Sequence, residues 1–233
     1  MQIGGFVKNS FVDYPGLISC CVFVVGCNFN CWYCHNNHLL KKEVDLINEN
    51  TIFDFLSTHK SFIDAVVVSG GEPTLQKDLK SFLQQVKSFG YKVKLDTNGT
   101  NFDVLKDVVE SKLVDYVAMD IKAPFSKYKE IVGVDKNLKD VHMCISYLIN
   151  SNIEYEFRTT FSSDLTVEDI KEICDSIKGA KNYSLQKCRI EYANANNDLL
   201  KNKLELKEHN KEEFKQILEY AKDKIDNFLI KGF

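Results

Sequence analysis

Short apolar runs alternate along this chain with stretches whose apolar residues recur every three to four positions. Ile18 to Val25, Ile63 to Val68, Tyr91 to Leu95, Val114 to Ile121, Ile153 to Phe161 and Tyr183 to Ile190 each read as a buried strand. Between them lie helical patterns over 49–58, 75–89, 101–110, 137–149 and 167–177. Leu79, Phe82, Leu83, Val86 and Phe89 make one such stripe, with Leu75 ahead of them. Leu138, Val141, Ile145 and Leu148 make another. Strand and helix in alternation predict βα units wound about a parallel sheet. The fold class expected is α/β, a partial (β/α)6 barrel with parallel strands, followed by a C-terminal amphipathic helix. That helix is expected to carry Phe214, Ile217, Leu218, Ala221, Ile225 and Phe228, after an Asn-rich connector at 192–206. Neither a repeat nor a linker divides the chain. It reads as a single domain over 1–233, with a core at about 18–190, a lead-in at 1–17 and a C-terminal connector and helix at 191–233. Six units fall short of the eight that close a barrel. The lateral gap this predicts would admit a large substrate.

Polar motifs fall after these strands, where βα barrels place their chemistry. Cys27-x3-Cys31-x2-Cys34 follows strand one. Three closely spaced thiolates can hold three corners of an iron–sulfur cube and leave the fourth iron open. A zinc site completed by His35 or His38 stays open on counting alone. Ser69-Gly70-Gly71-Glu72-Pro73 follows strand two, and its glycines let backbone approach a ligand. A tight turn with Glu72 beside a helix N-terminus is the plainer alternative. Asp96-Thr97-Asn98-Gly99 follows strand three and also suits a turn and N-cap. Asp120 and Lys122 flank Ile121, so both should point to one side of strand four, inside the barrel or as an exposed ion pair. Arg158 lies near the end of strand five.

Composition narrows the classes. The 30 basic residues against 33 acidic ones, with no basic run, argue against a nucleic-acid partner. No apolar stretch reaches membrane-spanning length, and Met1-Gln2-Ile3-Gly4-Gly5-Phe6 lacks the features of a signal peptide. The expected location is cytoplasmic. Eight cysteines then read as metal ligands plus buried thiols rather than disulfides. Cys20 and Cys21, adjacent on strand one, must face opposite sides.

The cysteine spacing, with Tyr33 before the last cysteine, resembles the radical S-adenosylmethionine superfamily. Ser10-Phe11-Val12-Asp13-Tyr14-Pro15-Gly16, Cys34-His35-Asn36, Asp-Thr-Asn-Gly and Asp-x-Lys narrow the likeness to the glycyl-radical-enzyme activating enzymes. Within these it is most like the anaerobic ribonucleoside-triphosphate reductase activating proteins. The resemblance implies that Cys27, Cys31 and Cys34 bind a [4Fe–4S] cluster. It puts Tyr33 against the adenine of S-adenosylmethionine. It directs Gly70, Gly71 and Glu72 to the methionine amino group, and Lys122 with Arg158 to the carboxylate. Asp96, Thr97, Asn98 and Asp120 would sit near the cofactor. The resemblance extends to a monovalent cation at Asp96, Thr97 and Asp120, as in pyruvate formate-lyase activases. The implied reaction takes hydrogen from a glycine of a partner glycyl-radical enzyme, an anaerobic ribonucleotide reductase, with flavodoxin or ferredoxin as electron donor. A radical enzyme acting on a small molecule or peptide would share the cofactor half of this machinery.

Overall fold

The computed structural model describes residues 1–40, 44–189 and 209–232 of the chain. Among these, one sheet of eight strands runs in sequence order, β1 (Ile3–Ser10), β2 (Ser19–Val24), β3 (Ala65–Gly70), β4 (Lys92–Thr97), β5 (Tyr116–Asp120), β6 (Glu154–Phe161), β7 (Asn182–Lys187) and β8 (Asn227–Lys231). Every neighbouring pair is parallel except β1 with β2. The helices are α1 (Glu49–Thr58), α2 (Leu79–Ser88), α3 (Phe102–Glu110), α4 (Tyr128–Val132), α5 (Lys139–Asn150), α6 (Val167–Ser176) and α7 (Lys211–Ala221). The six predicted strands are β2 to β7, and the six-unit parallel barrel is present.

Local chemistry explains where these elements start and stop. Asn48 caps α1 by accepting the Asn50 amide, and Thr166 and Asp169 close a reciprocal capping box on α6. Asn210 and Glu213 do the same for α7. Tyr14-Pro15-Gly16-Leu17 forms the expected turn into β2. Gly16 supplies φ +74°, and Leu17 N–H donates to the Tyr14 carbonyl.

Three expectations change. The lead-in contains a full strand, β1, whose glycines and lysine hid the alternation. The terminal helix ends at Ala221, so Ile225 lies beyond it and Phe228 belongs to β8. Isoleucine, phenylalanine and leucine at helical spacing equally suit a short strand, and pairing with β7 decides the case. The helix expected over 75–89 begins only at Leu79. Pro73–Leu75 forms a separate 3₁₀ turn and leaves Leu75 43% exposed. The connector at 192–206 and Ile190 lie outside the described residues.

The sheet has two faces with different jobs. Cys20, Val22, Val24, Val66 and Val68 face outward into the main core under the helices. Cys21, Ala65 and Val67 face inward, where Tyr14 and Tyr116 pack over them and floor the barrel. Cys20 and Cys21 thus part to opposite faces as their adjacency requires. Among the described residues no helix is long and apolar enough to cross a membrane.

Leu83 is fully buried on α2. Leu83→Ala is expected to lower unfolding free energy by about 3 kcal/mol. Leu75→Ala, although on the same sequence stripe, should cost under about 0.5 kcal/mol. Denaturant unfolding of the two variants checks the difference.

Candidate active site at the mouth of the barrel

The cysteine loop leaves β2 through Gly26, whose φ of +92° turns the chain across the strand ends. The Gly70–Gly71 turn leaves β3 beside it, and the two backbones interlock. Gly71 N–H donates to the Val24 carbonyl and Glu72 N–H to the Gly26 carbonyl, both at 2.8 Å. A Cβ at Gly71 would collide with the Gly26 carbonyl. One at Gly70, where φ is +113°, would meet the Val24 backbone. The glycines are therefore needed for backbone-on-backbone packing between two loops. Asn36 Nδ2 then donates to the Gly70 carbonyl at 3.3 Å, tying the end of the cysteine loop to the same turn.

The other side of the loop is anchored as firmly. Asn30 N–H donates to the Val132 carbonyl at the end of α4. Trp32 is 1% exposed, and its indole donates to Asp164 Oδ2 at 2.7 Å, holding the loop after β6. Trp32 packs and anchors, and its ring meets Tyr33 edge-on.

Cys27, Cys31 and Cys34 line one cavity of about 220 Å³, with Tyr33, Gly70, Gly71, Glu72, Asp96, Thr97, Asn98, Asp120, Lys122 and Arg158. All thirteen residues singled out in the sequence meet there. Burial pushes the Cys27 thiol up to about 11 and the Cys31 thiol to about 12, with Cys34 raised for the same reason. Lys122 opposes the shift at all three. Burial thus favours the protonated thiol at all three positions, and a metal group bound there would have to release those protons. Among the described residues no three His, Cys, Asp or Glu side chains converge as for a single metal ion. A cubane takes each thiolate on a different iron, so donors spread around one cavity suit it.

Glu72 is 1% exposed and works as a bracket. Its Oε1 accepts from the Thr74 amide, the Thr74 hydroxyl and the Thr97 hydroxyl at 3.0, 2.6 and 2.8 Å. Its Oε2 accepts the Asn98 amide at 2.7 Å. Oε2 therefore keeps acceptor capacity for one more donor, which fits an ammonium group. Asn98 passes the connection on: its amide nitrogen reaches Asn28 Oδ1 at 2.9 Å and lies 3.8 Å from Cys27 Sγ. Gly99, at φ +75°, has no room for a Cβ beside Met119.

Below the cysteines lies a row of alternating charges. Lys94 Nζ sits 3.1 Å from Asp96 Oδ1. Arg158 Nη1 donates to Asp96 Oδ2 at 3.2 Å and Arg158 Nε to Asp120 Oδ1 at 2.8 Å. Lys122 Nζ donates to Asp120 Oδ2 at 2.9 Å. Asp120 and Lys122 do point to one side, and that side is the barrel interior. Ala118, level with both Asp96 and Glu156, leaves the space through which Arg158 reaches across β5. Burial raises the carboxyl of Asp120, but Arg158 and Lys122 outweigh it and bring its pKa down to about 2. Asp96 is lowered by the same contest, won by Arg158 and Lys94. Burial likewise opposes the charge on Lys122, and Asp120 reverses the balance and holds it well above its ordinary value.

Lys94 and Glu156 were missed in the sequence. Lys94 is 3% exposed, donates to the Asp13 carbonyl at 2.6 Å and lies 4.0 Å from Glu156. The signal was present: Lys92, Lys94 and Asp96, like Glu154, Glu156 and Arg158, repeat with period two, which marks a charged inner face. The group implied at the cavity also finds an unsatisfied contact there, since the buried Tyr33 hydroxyl has no hydrogen-bond partner.

A partial parallel barrel, with cysteines and charges gathered at the C-terminal strand ends, defines an α/β barrel with a thiol-lined, charged mouth. The sequence profile of the Radical SAM superfamily matches residues 21–178. A putative glycyl-radical enzyme activating enzyme of Methanocaldococcus jannaschii is 37% identical, covering 98% of this chain and 95% of its own. A pyruvate formate-lyase-activating enzyme of Streptococcus mutans is 31% identical, over 73% of this chain and 70% of its own. Among solved structures, Streptococcus suis SuiB bound to precursor peptide SuiA superposes with a TM-score of 0.67 at 18% identity. That alignment covers 88% of this chain and 46% of the larger SuiB chain. This protein belongs to the radical SAM superfamily, on the branch of the glycyl-radical enzyme activating enzymes. Membership implies a [4Fe–4S] cluster and S-adenosylmethionine.

Asp120→Asn leaves Arg158 and Lys122 facing a neutral amide. The variant is expected to lose about 2 kcal/mol of stability at pH 7. A carboxylate whose folded pKa is depressed contributes stability above its unfolded value and loses it as pH falls through the folded one. The gap between wild type and variant should therefore be full above the ordinary 3.8 and close as pH falls toward 2. Chemical denaturation at stepped pH values measures it.

Proposed function

We propose that this protein activates a partner glycyl-radical enzyme, with Cys27, Cys31 and Cys34 as ligands of the [4Fe–4S] cluster and S-adenosylmethionine in the same cavity. One observation carries the reading: three thiols, a free acceptor site on Glu72 and a cationic Lys122 line a single cavity, in a chain similar over 98% of its length to one putative activating enzyme.

When bound, the reduced cluster and S-adenosylmethionine supply the means to abstract a hydrogen atom from a glycine Cα. The residues of this chain do the rest by binding and orientation. Glu72 Oε2 and the Gly70–Gly71 turn receive the methionine ammonium. Lys122, with Arg158 behind it, meets the methionine carboxylate. Tyr33 lies against the adenine, and Asn98 sets Cys27 through Asn28. Trp32 and Phe29, both nearly fully buried, exclude water from beneath the cysteine loop.

The partner we propose is an anaerobic ribonucleotide reductase, and the electron donor flavodoxin or ferredoxin, in the cytoplasm. Anaerobic reconstitution with iron and sulfide, reduction, and addition of S-adenosylmethionine should yield 5′-deoxyadenosine. Candidate partners should then show a glycyl-radical signal in electron paramagnetic resonance. Cofactor cleavage with no partner radical would move the reading to a small-molecule or peptide substrate. No cluster at all would return it to zinc.

Cys31→Ala is expected to abolish both iron incorporation and cofactor cleavage, and iron analysis showing a full cluster would refute the ligand assignment. Lys122→Ala should keep the cluster and weaken S-adenosylmethionine binding by about tenfold or more, through the lost charge-assisted contact. Calorimetry reads this directly.

A further inference from the structure

Asn98 turns two faces to the cavity. Its backbone N–H is held by Glu72 Oε2 at 2.7 Å, while its side chain reaches the other way, to the cysteine loop. The orientation of that amide is set by its neighbours. Asn98 Oδ1 accepts the Thr100 amide at 3.1 Å and the Thr100 hydroxyl at 2.6 Å. The Thr100 hydroxyl in turn accepts Asn28 Nδ2 at 2.7 Å, which leaves Asn28 Oδ1 to accept Asn98 Nδ2 at 2.9 Å. This ring of three side chains closes in one sense only. With Oδ1 taken by two donors, both N–H bonds of Asn98 face outward. One meets Asn28, and Nδ2 lies 3.8 Å from Cys27 Sγ, within reach of a hydrogen bond to sulfur. Asn98 is buried, so water has little access to this contact.

We propose that Asn98 is a positioning residue that sets the reduction potential of the cluster, by donating its side-chain N–H to the Cys27 thiolate. The inference rests on the reading of Cys27 as a cluster ligand. Hydrogen bonds to the ligand sulfurs are among the levers on such a potential. Reduction adds one electron from the low-potential donor proposed above; no proton moves and no bond breaks. The added charge spreads onto the thiolates, so an N–H aimed at Cys27 favours the reduced form and raises the potential. The Phe29 backbone N–H, 3.4 Å from Cys27 Sγ, acts in the same sense and comes with the loop itself. Glu72 acts against both, because its carboxylate disfavours negative charge on Cys27. Asn98 holds that carboxylate with its backbone and offsets it with its side chain.

Asn98→Ser removes the side-chain donor and keeps the backbone N–H on Glu72. Wild type and variant are reconstituted, their iron and sulfide are counted, and a mediated redox titration follows the reduced cluster by electron paramagnetic resonance. At equal cluster content the variant's reduction should be about tenfold less favourable, a potential lower by about 59 mV for a one-electron couple. A side chain that only packed the loop would change stability and cluster yield, and leave the potential of the clusters that form where it was. A full cluster whose reduction equilibrium moves by less than about twofold, or whose potential rises, overturns the proposal. A wild type that takes up no cluster defeats the ligand reading and this role with it, whereas a full cluster with an unmoved potential defeats the role of Asn98 alone. Should Asn98→Ser fail to fold or to hold a cluster, the wild type decides. Labelled with ¹⁵N at its asparagine side-chain amides, it should show nitrogen coupling to the reduced cluster in pulsed resonance, and Asn28→Ala should keep that coupling. No coupling in the wild type sinks the proposal, and its loss in Asn28→Ala assigns the nitrogen to Asn28 and sinks it too.

Discussion

Ionised side chains cannot enter a barrel singly. Each loses several kcal/mol of hydration, and only close pairing returns it. Lys94, Asp96, Arg158, Asp120 and Lys122 satisfy this constraint as a chain of alternating sign across β4, β5 and β6. Each interior member touches two opposite charges, so none of Asp96, Arg158 and Asp120 moves without exposing two others. The register of three strands follows. A one-residue slip of β6 would turn Arg158 outward and leave both aspartates without their shared partner. The same chain reaches downward, because Lys94 donates to the Asp13 carbonyl and so holds the lead-in segment against the barrel floor. What looks like a catalytic feature is also the bolt through the middle of the sheet.

A second constraint acts at the mouth and is steric. The cysteine loop and the Gly-Gly turn cross with their backbones in contact, and Gly71 leaves no space for a side chain. The crossing fixes Gly26, and with it the start of the cysteine loop. Glu72 then converts this contact into a charge-assisted network by gathering four donors from Thr74, Thr97 and Asn98. The first cysteine is therefore positioned from β2, β3 and β4 at once, and the last through Asn36. Loops that share backbone hydrogen bonds in this way hold their donors before any cofactor arrives, which lowers the ordering cost of binding.

The parallel core was legible because strands buried on both faces are written as apolar runs, and Val66, Val67 and Val68 cannot be read otherwise. The site was legible because its residues cluster after those runs. The edges of the sheet were not. Three of eight residues in β1 and three of five in β8 are exposed, so the apolar pattern thins to the level of a loop or a helix face, and only pairing with β2 and β7 identifies them. Lys94 escaped for a different reason. A lysine inside an apolar run reads as its solvent side, and its burial depends on Asp96, Glu156 and Asp13, which are far apart in sequence. The glycines of the turn were recognised, but their contact with the Gly26 backbone was not, because it joins two loops far apart in sequence.

The inner face of the sheet inverts the usual rule. Cross-strand partners share a face, so Val7, opposite Cys21, and Leu229, opposite Ser184, belong to the same inner surface as Arg158. Val7 is 45% exposed and Leu229 54%, while Lys94 on the same surface is 3% exposed. Charge is buried at the centre and apolar side chains stand open at the two edges. A barrel selected for stability alone would do the reverse, placing valine in the middle and lysine at the rims. Closing the ring with further strands would bury those edges and seal the interior. The open sheet keeps them apart, and the charge chain must then supply from within the rigidity that closure would have provided. The same row of ion pairs that makes the interior polar enough for its chemistry is what allows the barrel to remain open.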